Sequence, residues 1–298
     1  MDYPFYINDF DRIRNHKEQY PVAGKIFDYP VSFWFGVKKG KKDLFKVHSR
    51  ITRLLNRADP CLPVMVIYNL PDRDMGHYSK GGASDHDTYL KFIETFAKAV
   101  GKRGPIVIYE PDGLPHTTLM DKKSAKSRLK LMKQALETLT TECKAKVYVD
   151  IGHSNWLDPE TAGKLLDSVS NDRVRGFSVN VSNYRTTKES VLWAERLREH
   201  TRLDYYVVDT SRNGAGPYGN DWCNPPGRAL GIPPTTDTQL DHCDAYLWIK
   251  VPGESDGTCN GGPPAGKFWL DYARELVNNT EWLSTEKTNV AEPKSKKH

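Results

Sequence analysis

The chain has 298 residues, 38% of them hydrophobic, and 43 Lys and Arg against 38 Asp and Glu give it a formal charge of +5. That length buries a large core and suits one α/β barrel as well as two small domains. The basic residues do not gather with aromatics on one element, which argues against nucleic acid, and no apolar run is long enough to cross a bilayer.

Five cysteines (Cys61, Cys143, Cys223, Cys243 and Cys259) permit two disulfides at most. None forms a CxxC pair, so no metal site is expected, and no motif calls for a cofactor.

In chain order, a short apolar, β-branched or aromatic run that ends in a polar cluster recurs seven times. The runs are 31–35, 64–69, 106–110, 146–150, 176–180, 205–209 and 245–250. Helical patterns lie between and after them, at 44–57, 124–141, 159–168, 188–198 and 266–278. The clearest is the stripe Tyr89, Phe92, Ile93, Phe96, Ala97, Val100, whose spacing of three and four suits one buried helix face. Nearly continuous apolar strands alternating with helices predict a parallel sheet sheathed by helices. Seven such units predict an α/β fold: a distorted, TIM-like parallel β-barrel of about seven strands with outer helices. One domain is expected over 1–284, followed by a disordered basic tail over 285–298.

The active site of a parallel barrel lies where its strands end. Here the second run leads into Tyr68-Asn69-Leu70-Pro71-Asp72-Arg73-Asp74, the third into Glu110-Pro111-Asp112, and the fourth into Asp150-Ile151-Gly152-His153. The fifth gives Asn180 to Tyr184, the sixth Asp209 to Gly214, and the seventh Lys250 to Gly257 with Glu254 and Asp256. Any one of these acids taken alone is best read as a helix N-cap or a turn residue. Six charged or amide strand ends on one rim repel one another, and a polar substrate explains that better than capping. Facing carboxylates without a Cys/His metal set or a phosphate loop suit glycosidic cleavage, which needs one protonated and one ionised carboxyl. Trp34, Tyr68, Trp156, Tyr184 and Trp222 lie near the same ends, where aromatics either stack on sugars or fill the barrel.

These motifs, in this order over about residues 3 to 280, resemble glycoside hydrolase family 6. Tyr68 to Asp74 looks like its first signature and Val107 to Asp112 like its second, with later blocks matching at Tyr148–His153, 176–184, 209–214, 221–224 and 248–257. The resemblance implies a secreted, inverting hydrolase of β-1,4-glucan or cello-oligosaccharides that works as a monomer. It implies that Asp112 is the general acid, that Asp74 keeps the acid's pKa high, and that Asp256 is the debated base. Arg212, Lys250 and Glu254 would orient carboxylates and bind sugar. Asn180 would also contact substrate, and Tyr68 would face the distorted sugar. Trp34 and Trp222 would stack on the non-reducing side and Trp156 beyond the cleavage point. A disulfide is implied for Cys223–Cys259, with Cys243 a rival partner. Two departures stand out: Met75 replaces a usual cysteine, and Lys80, with Ser79 before it, occupies the place of a water-holding serine. The short connection after Asp256 favours the endoglucanase branch over a cellobiohydrolase; a domain that binds glucan without cutting it is the rival reading.

Overall fold

Residues 4–37 and 40–285 are described by the structure, a computed structural model. The seven apolar runs form β1 (Phe33–Phe35), β2 (Val64–Ile67), β3 (Ile106–Tyr109), β4 (Lys146–Asp150), β5 (Gly176–Val179), β6 (Tyr205–Asp209) and β7 (Cys243–Leu247). They pair in parallel and in sequence order. Alternation along each strand sorts their side chains. Val64, Val66, Ile106, Ile108, Tyr148, Val207 and Leu247 fill the inside of the curl. Met65, Ile67, Val107, Tyr109, Val147, Val149, Phe177 and Val208 face the helices.

The helices are α1 (Asp11–Gln19), α2 (Pro21–Gly24), α3 (Gly40–Ala58), α4 (His86–Val100), α5 (Lys122–Glu142), α6 (Pro159–Val169), α7 (Thr187–Arg198), α8 (Leu270–Asn278) and α9 (Glu281–Thr285). Four of them are capped by side chains that accept backbone N–H bonds: Asp85 (from Thr88), Asp121 (from Lys123 and Ser124), Asp158 (from Thr161) and Thr186 (from Glu189). No strand-end acid serves as one of these caps, so capping does not account for the acidic rim. Residues 210–242, between β6 and β7, form no helix.

β1 and β7 are the sheet's edges, and the barrel is curled but open between them. At the rim the gap is spanned by Ser32 N donating to Trp248 O (3.2 Å) and Trp34 Nε1 donating to Ile249 O (3.0 Å). A separate cluster containing Ala23, Ile26, Phe27, Trp248, Tyr272 and Leu276 packs α2 and α8 against the segments beside the gap.

Four of the predicted runs, 64–69, 106–110, 176–180 and 245–250, overshoot the ladders at their polar ends. Glu110 (φ 50°) and Asn180 (φ 67°) turn into the left-handed region and leave the sheet. The last predicted helix begins, as α8, at Leu270 and not 266, because Ser255 N bonds Lys267 O and Trp269 N bonds Gly253 O, holding 267–269 extended. α1 has no predicted counterpart, since its polar sequence carries no apolar stripe. The tail expected from 285 lies, beyond Thr285, outside the described residues.

Candidate active site

The polar strand ends first of all tie the rim together. Asn69, after β2, accepts from Val37 N in the loop after β1 (2.9 Å). Glu110, after β3, accepts from Asn69 N and Leu70 N after β2 (2.9 and 3.1 Å). Asp150, ending β4, accepts from Asp112 N after β3 (2.8 Å) and from Ser178 Oγ (3.1 Å). Asp209, ending β6, accepts from Ser182 N on one side and Lys250 N on the other, both at 2.9 Å. Each buried acid therefore spends its lone pairs on the backbone of a neighbouring loop. This satisfies N–H groups that leave the ladder and fixes loops in unusual conformations. Asp74 (φ 60°) and Asp112 (φ 64°) are both held with positive φ.

Above this rim lies a cleft of about 1050 Å³. Asp112 lies on its lining, and burial, then the charges of Asp74 and Asp256, push its pKa up to about 7 against the pull of Lys250. Asp74 is also raised, by burial, although Ser79 N donates to its Oδ2 at 2.6 Å and His77 and Arg73 favour its anion. Asp256 goes the other way. Burial pushes it up, but Arg212 Nη1 at 2.9 Å and Lys250 Nζ at 3.3 Å overcome that and hold its carboxyl below the usual range. The cleft thus sets a carboxyl that keeps its proton near neutral pH beside one that stays ionised.

Aromatic rings flank the acids. Trp34 meets Tyr68 edge-on at 5.3 Å, and Arg73 sits 4.5 Å above the Tyr68 ring. Trp156 stands on the opposite stretch beside His116 and His153. The loop after Asp74 crosses from one wall to the other: the Tyr78 ring lies 6.2 Å from Trp222 and packs on the bare backbone of Gly257, where an added Cβ would come within 2.3 Å of its Cγ. Gly82 ends this loop with φ 97°, and a Cβ there would meet Leu70 O at 1.8 Å. Cys223 and Cys259 form a disulfide that ties the Trp222 loop to the segment after Asp256.

A sequence model described as Glycosyl hydrolases family 6 matches residues 7–280. The chain belongs to this family. It is 38% identical over 260 residues to Endoglucanase A of Cellulomonas fimi, covering 87% of this chain and 56% of that protein. It therefore spans little more than half the length of that relative. It is 30% identical to the "Probable 1,4-beta-D-glucan cellobiohydrolase C" of Aspergillus fumigatus, where the same 87% of this chain spreads over 323 aligned positions. Among solved structures, the endoglucanase Cel6 from Mycobacterium tuberculosis, in complex with methyl-cellobiosyl-4-deoxy-4-thio-β-D-cellobioside, is 39% identical with a TM-score of 0.87, covering 93% of this chain and 97% of that one.

Of the residues singled out from sequence, this family 6 fold brings Asp74, Asp112, Asp256, Trp34, Tyr68, Ser79, Lys80, Trp156, Trp222, Lys250 and Glu254 together as the cleft lining. Tyr184 and the strand-end acids Glu110, Asp150 and Asp209 are buried off the cleft, and two of the residues expected to contact substrate do not reach it either. Asn180 is fully buried: its Oδ1 accepts from Arg185 N and its Nδ2 donates to Asp209 O, so it holds β5's loop to β6 and has no surface to offer a sugar. Arg212 is equally buried; it acts on Asp256 and donates to Ser182 O, and cannot bind substrate directly. Cys243 faces the outer core on β7 and is unbridged, so it is no rival for the disulfide. Sequence reading missed Tyr78, His77 and His116, all on the cleft. Only their proximity to Asp74 and Asp112 in the chain hinted at them.

Proposed function

We propose that this chain hydrolyses internal β-1,4-glucosidic bonds of cellulose or a related β-glucan with inversion, with Asp112 as proton donor. The observation that carries the reading is the split between Asp112, pushed up to about 7, and Asp256, held below the ordinary range, in one cleft walled by Trp34, Trp156 and Trp222. A carboxyl still protonated near neutral pH can donate to a departing sugar oxygen. Asp74 supports it in two ways, keeping that proton on Asp112 and stabilising positive charge that develops on the sugar ring.

Asp256 is clamped by two cations and is a weak base. We therefore assign it an electrostatic part: it orients the attacking water, whose oxygen bonds the sugar's anomeric carbon as the bond to the leaving oxygen breaks and whose surplus proton passes to bulk solvent. Ser79 and Lys80, on the loop anchored to Asp74, line the same cleft. Lys250 holds Asp256, and Glu254 and Tyr68 offer polar contacts to the sugar.

The endo reading rests on loops. The segment after Asp256 folds back at once, with Gly266 N bonding Ser255 O and the Cys223–Cys259 bridge pinning it, so it offers no chain for a long roof. The cellobiohydrolase relative needs many more aligned positions for the same stretch, which fits inserted loops in that protein. The disulfide suits an oxidising, extracellular setting. Two measurements test the proposal: NMR of fresh products, expected to be α-anomers, and viscosity of carboxymethyl cellulose, expected to fall well ahead of reducing ends. A β-anomer ends the inverting mechanism, and viscosity that tracks reducing ends is the outcome against internal cutting.

A further inference from the structure

His116 lies on the short turn Pro115–Leu119 that follows the Asp112 loop, and its backbone N donates to Asp112 O at 3.0 Å. The residue is 8% exposed and its side chain lines the cleft, its ring tilted 64° to that of Trp156 with the ring centres 5.1 Å apart. Nδ1 is sealed from solvent and has no hydrogen-bond partner among the described residues. That leaves Nε2 as the ring nitrogen on the open, cleft side. The imidazole is neutral, because burial and then the charges of Arg128 and His77 push its pKa down to about 4.

A neutral imidazole carries one N–H and one bare nitrogen. Burying an N–H without an acceptor is the rarer and costlier choice, and a bare lone pair is tolerated more readily. The proton therefore belongs on Nε2. We propose that His116 is a specificity-determining residue of the leaving-group side of the cleft, presenting a fixed Nε2–H donor to an oxygen of the sugar that stacks on Trp156. This rests on the hydrolytic reading above and deepens it: the leaving portion must be a sugar with an acceptor oxygen beside the tryptophan face, and not merely any good leaving group. The ring has no other assignment in the reaction, and Trp156 fixes its plane so that the donor points one way.

The test compares His116→Phe, which keeps the ring and loses the donor, with His116→Gln, which keeps an N–H. Two substrates are used: cellohexaose, which places sugars on both sides of the cut, and an aryl cellobioside, whose leaving group is no sugar. The expected result for His116→Phe is a roughly threefold to tenfold loss of kcat/KM on cellohexaose, expressed mainly in KM, with the aryl substrate within twofold of the parent. His116→Gln should recover most of the loss. Nitrogen-15 spectra of the unmutated protein, assigned by the signal missing in His116→Phe, should show an Nε2–H tautomer whose Nε2 signal moves on adding cellotetraose. An Nδ1–H tautomer overturns the proposal even if neither variant is active, and so does an equal loss on both substrates. Failure of the parent to cut either substrate would instead sink the hydrolytic reading itself.

Discussion

At the N-terminal end of the sheet, Arg175 meets Asp244 with two nitrogens on two oxygens, at 2.8 and 2.9 Å. Tyr148 adds a hydroxyl bond to the same carboxylate at 2.6 Å, and the guanidinium lies 3.4 Å over the Tyr205 ring. At the C-terminal rim, Arg212 reaches Asp256 with one nitrogen only, sends a second to Ser182 O, and leaves Nε without a partner among the described residues. Lys250 brings a second cation to the same aspartate. The lower pair is matched one to one and ties β4, β5 and β7 where they begin. The upper site puts two cations on one anion and two further acids close by. Burial, then the charges of Asp74 and Asp256, raises Asp112, while the two cations outweigh burial at Asp256, so the two acids part in proton affinity. The same residue types thus tie strands together at one end and prepare an acid at the other, in keeping with chemistry at the C-terminal face and stability at the opposite one.

Removing the acid should separate the two ends most sharply. Asp112→Asn should lower hydrolysis of unactivated glucan by about a hundred- to ten-thousand-fold, and much less on aryl glycosides with good leaving groups. The same variant should be more stable at pH 8. Asp112 is raised from 3.8 to about 7 in the fold, so its neutral form is favoured there. That contribution is full below about pH 4 and is lost as pH rises through about 7. At three pKa units of about 1.4 kcal/mol each, the gain at pH 8 is at most about 4 kcal/mol, and it should vanish near pH 4. Asp244→Asn at the other end should do the reverse, losing stability while kcat/KM holds. A thermal-melt series over pH with parallel kinetics decides both.

Next in size is Asp256→Asn. It leaves Arg212 and Lys250 buried together without their anion, and breaking such a pair costs about 3–5 kcal/mol. Urea unfolding at pH 6 should show that loss. An unchanged midpoint would mean that the upper cations find other partners.

The seven strands were legible because each is a short apolar run, and the helices because their stripes are spaced three and four apart. The direction of the acidic rim was legible too. What the sequence hid was how the rim's polar groups divide. Asp150, Asp209, Glu110 and Asn180 read as substrate-facing groups, yet each points at a neighbouring loop's backbone, a pairing between residues 27 to 41 positions apart that no local pattern encodes. Tyr78 was hidden for a similar reason: its partner is the missing side chain of Gly257. The open seam was equally silent, since β1 and β7 look like the other strands and only their place in the order makes them edges.

Asp74→Asn sharpens the electrostatic half of the comparison. The charge of Asp74 is the second cause, after burial, of the raised pKa of Asp112. Without it Asp112 should ionise at lower pH, so the high-pH limb of kcat/KM should move down by something of the order of one pH unit. A lower rate with an unmoved limb would give Asp74 a positioning part and no electrostatic one.

The smallest effect is expected from Arg175→Lys, and it tests whether the lower pair is only structural. A lysine keeps the charge but is a single point donor. It cannot place two parallel N–H bonds on Asp244, and it has no flat face for Tyr205. Arg175 is partly exposed, its side chain 38% accessible, so water takes up some of the lost bonding and the cost is damped. Stability should fall by about 1 kcal/mol, a shift of about 2–4 °C for a chain of this size, measured by thermal melts. Because the pair sits at the far end of the barrel from Asp112, both limbs of the pH profile and kcat/KM should stay within twofold of the parent. Arg212→Lys is the matched control at the rim. It keeps one contact to Asp256 and loses Ser182 O, so its melting loss should be similar, but its charge would no longer be fixed against Asp256 and the high-pH limb should move. If Arg175→Lys moved that limb as well, the two ends would be electrostatically linked through the sheet, and the division drawn between them would be wrong.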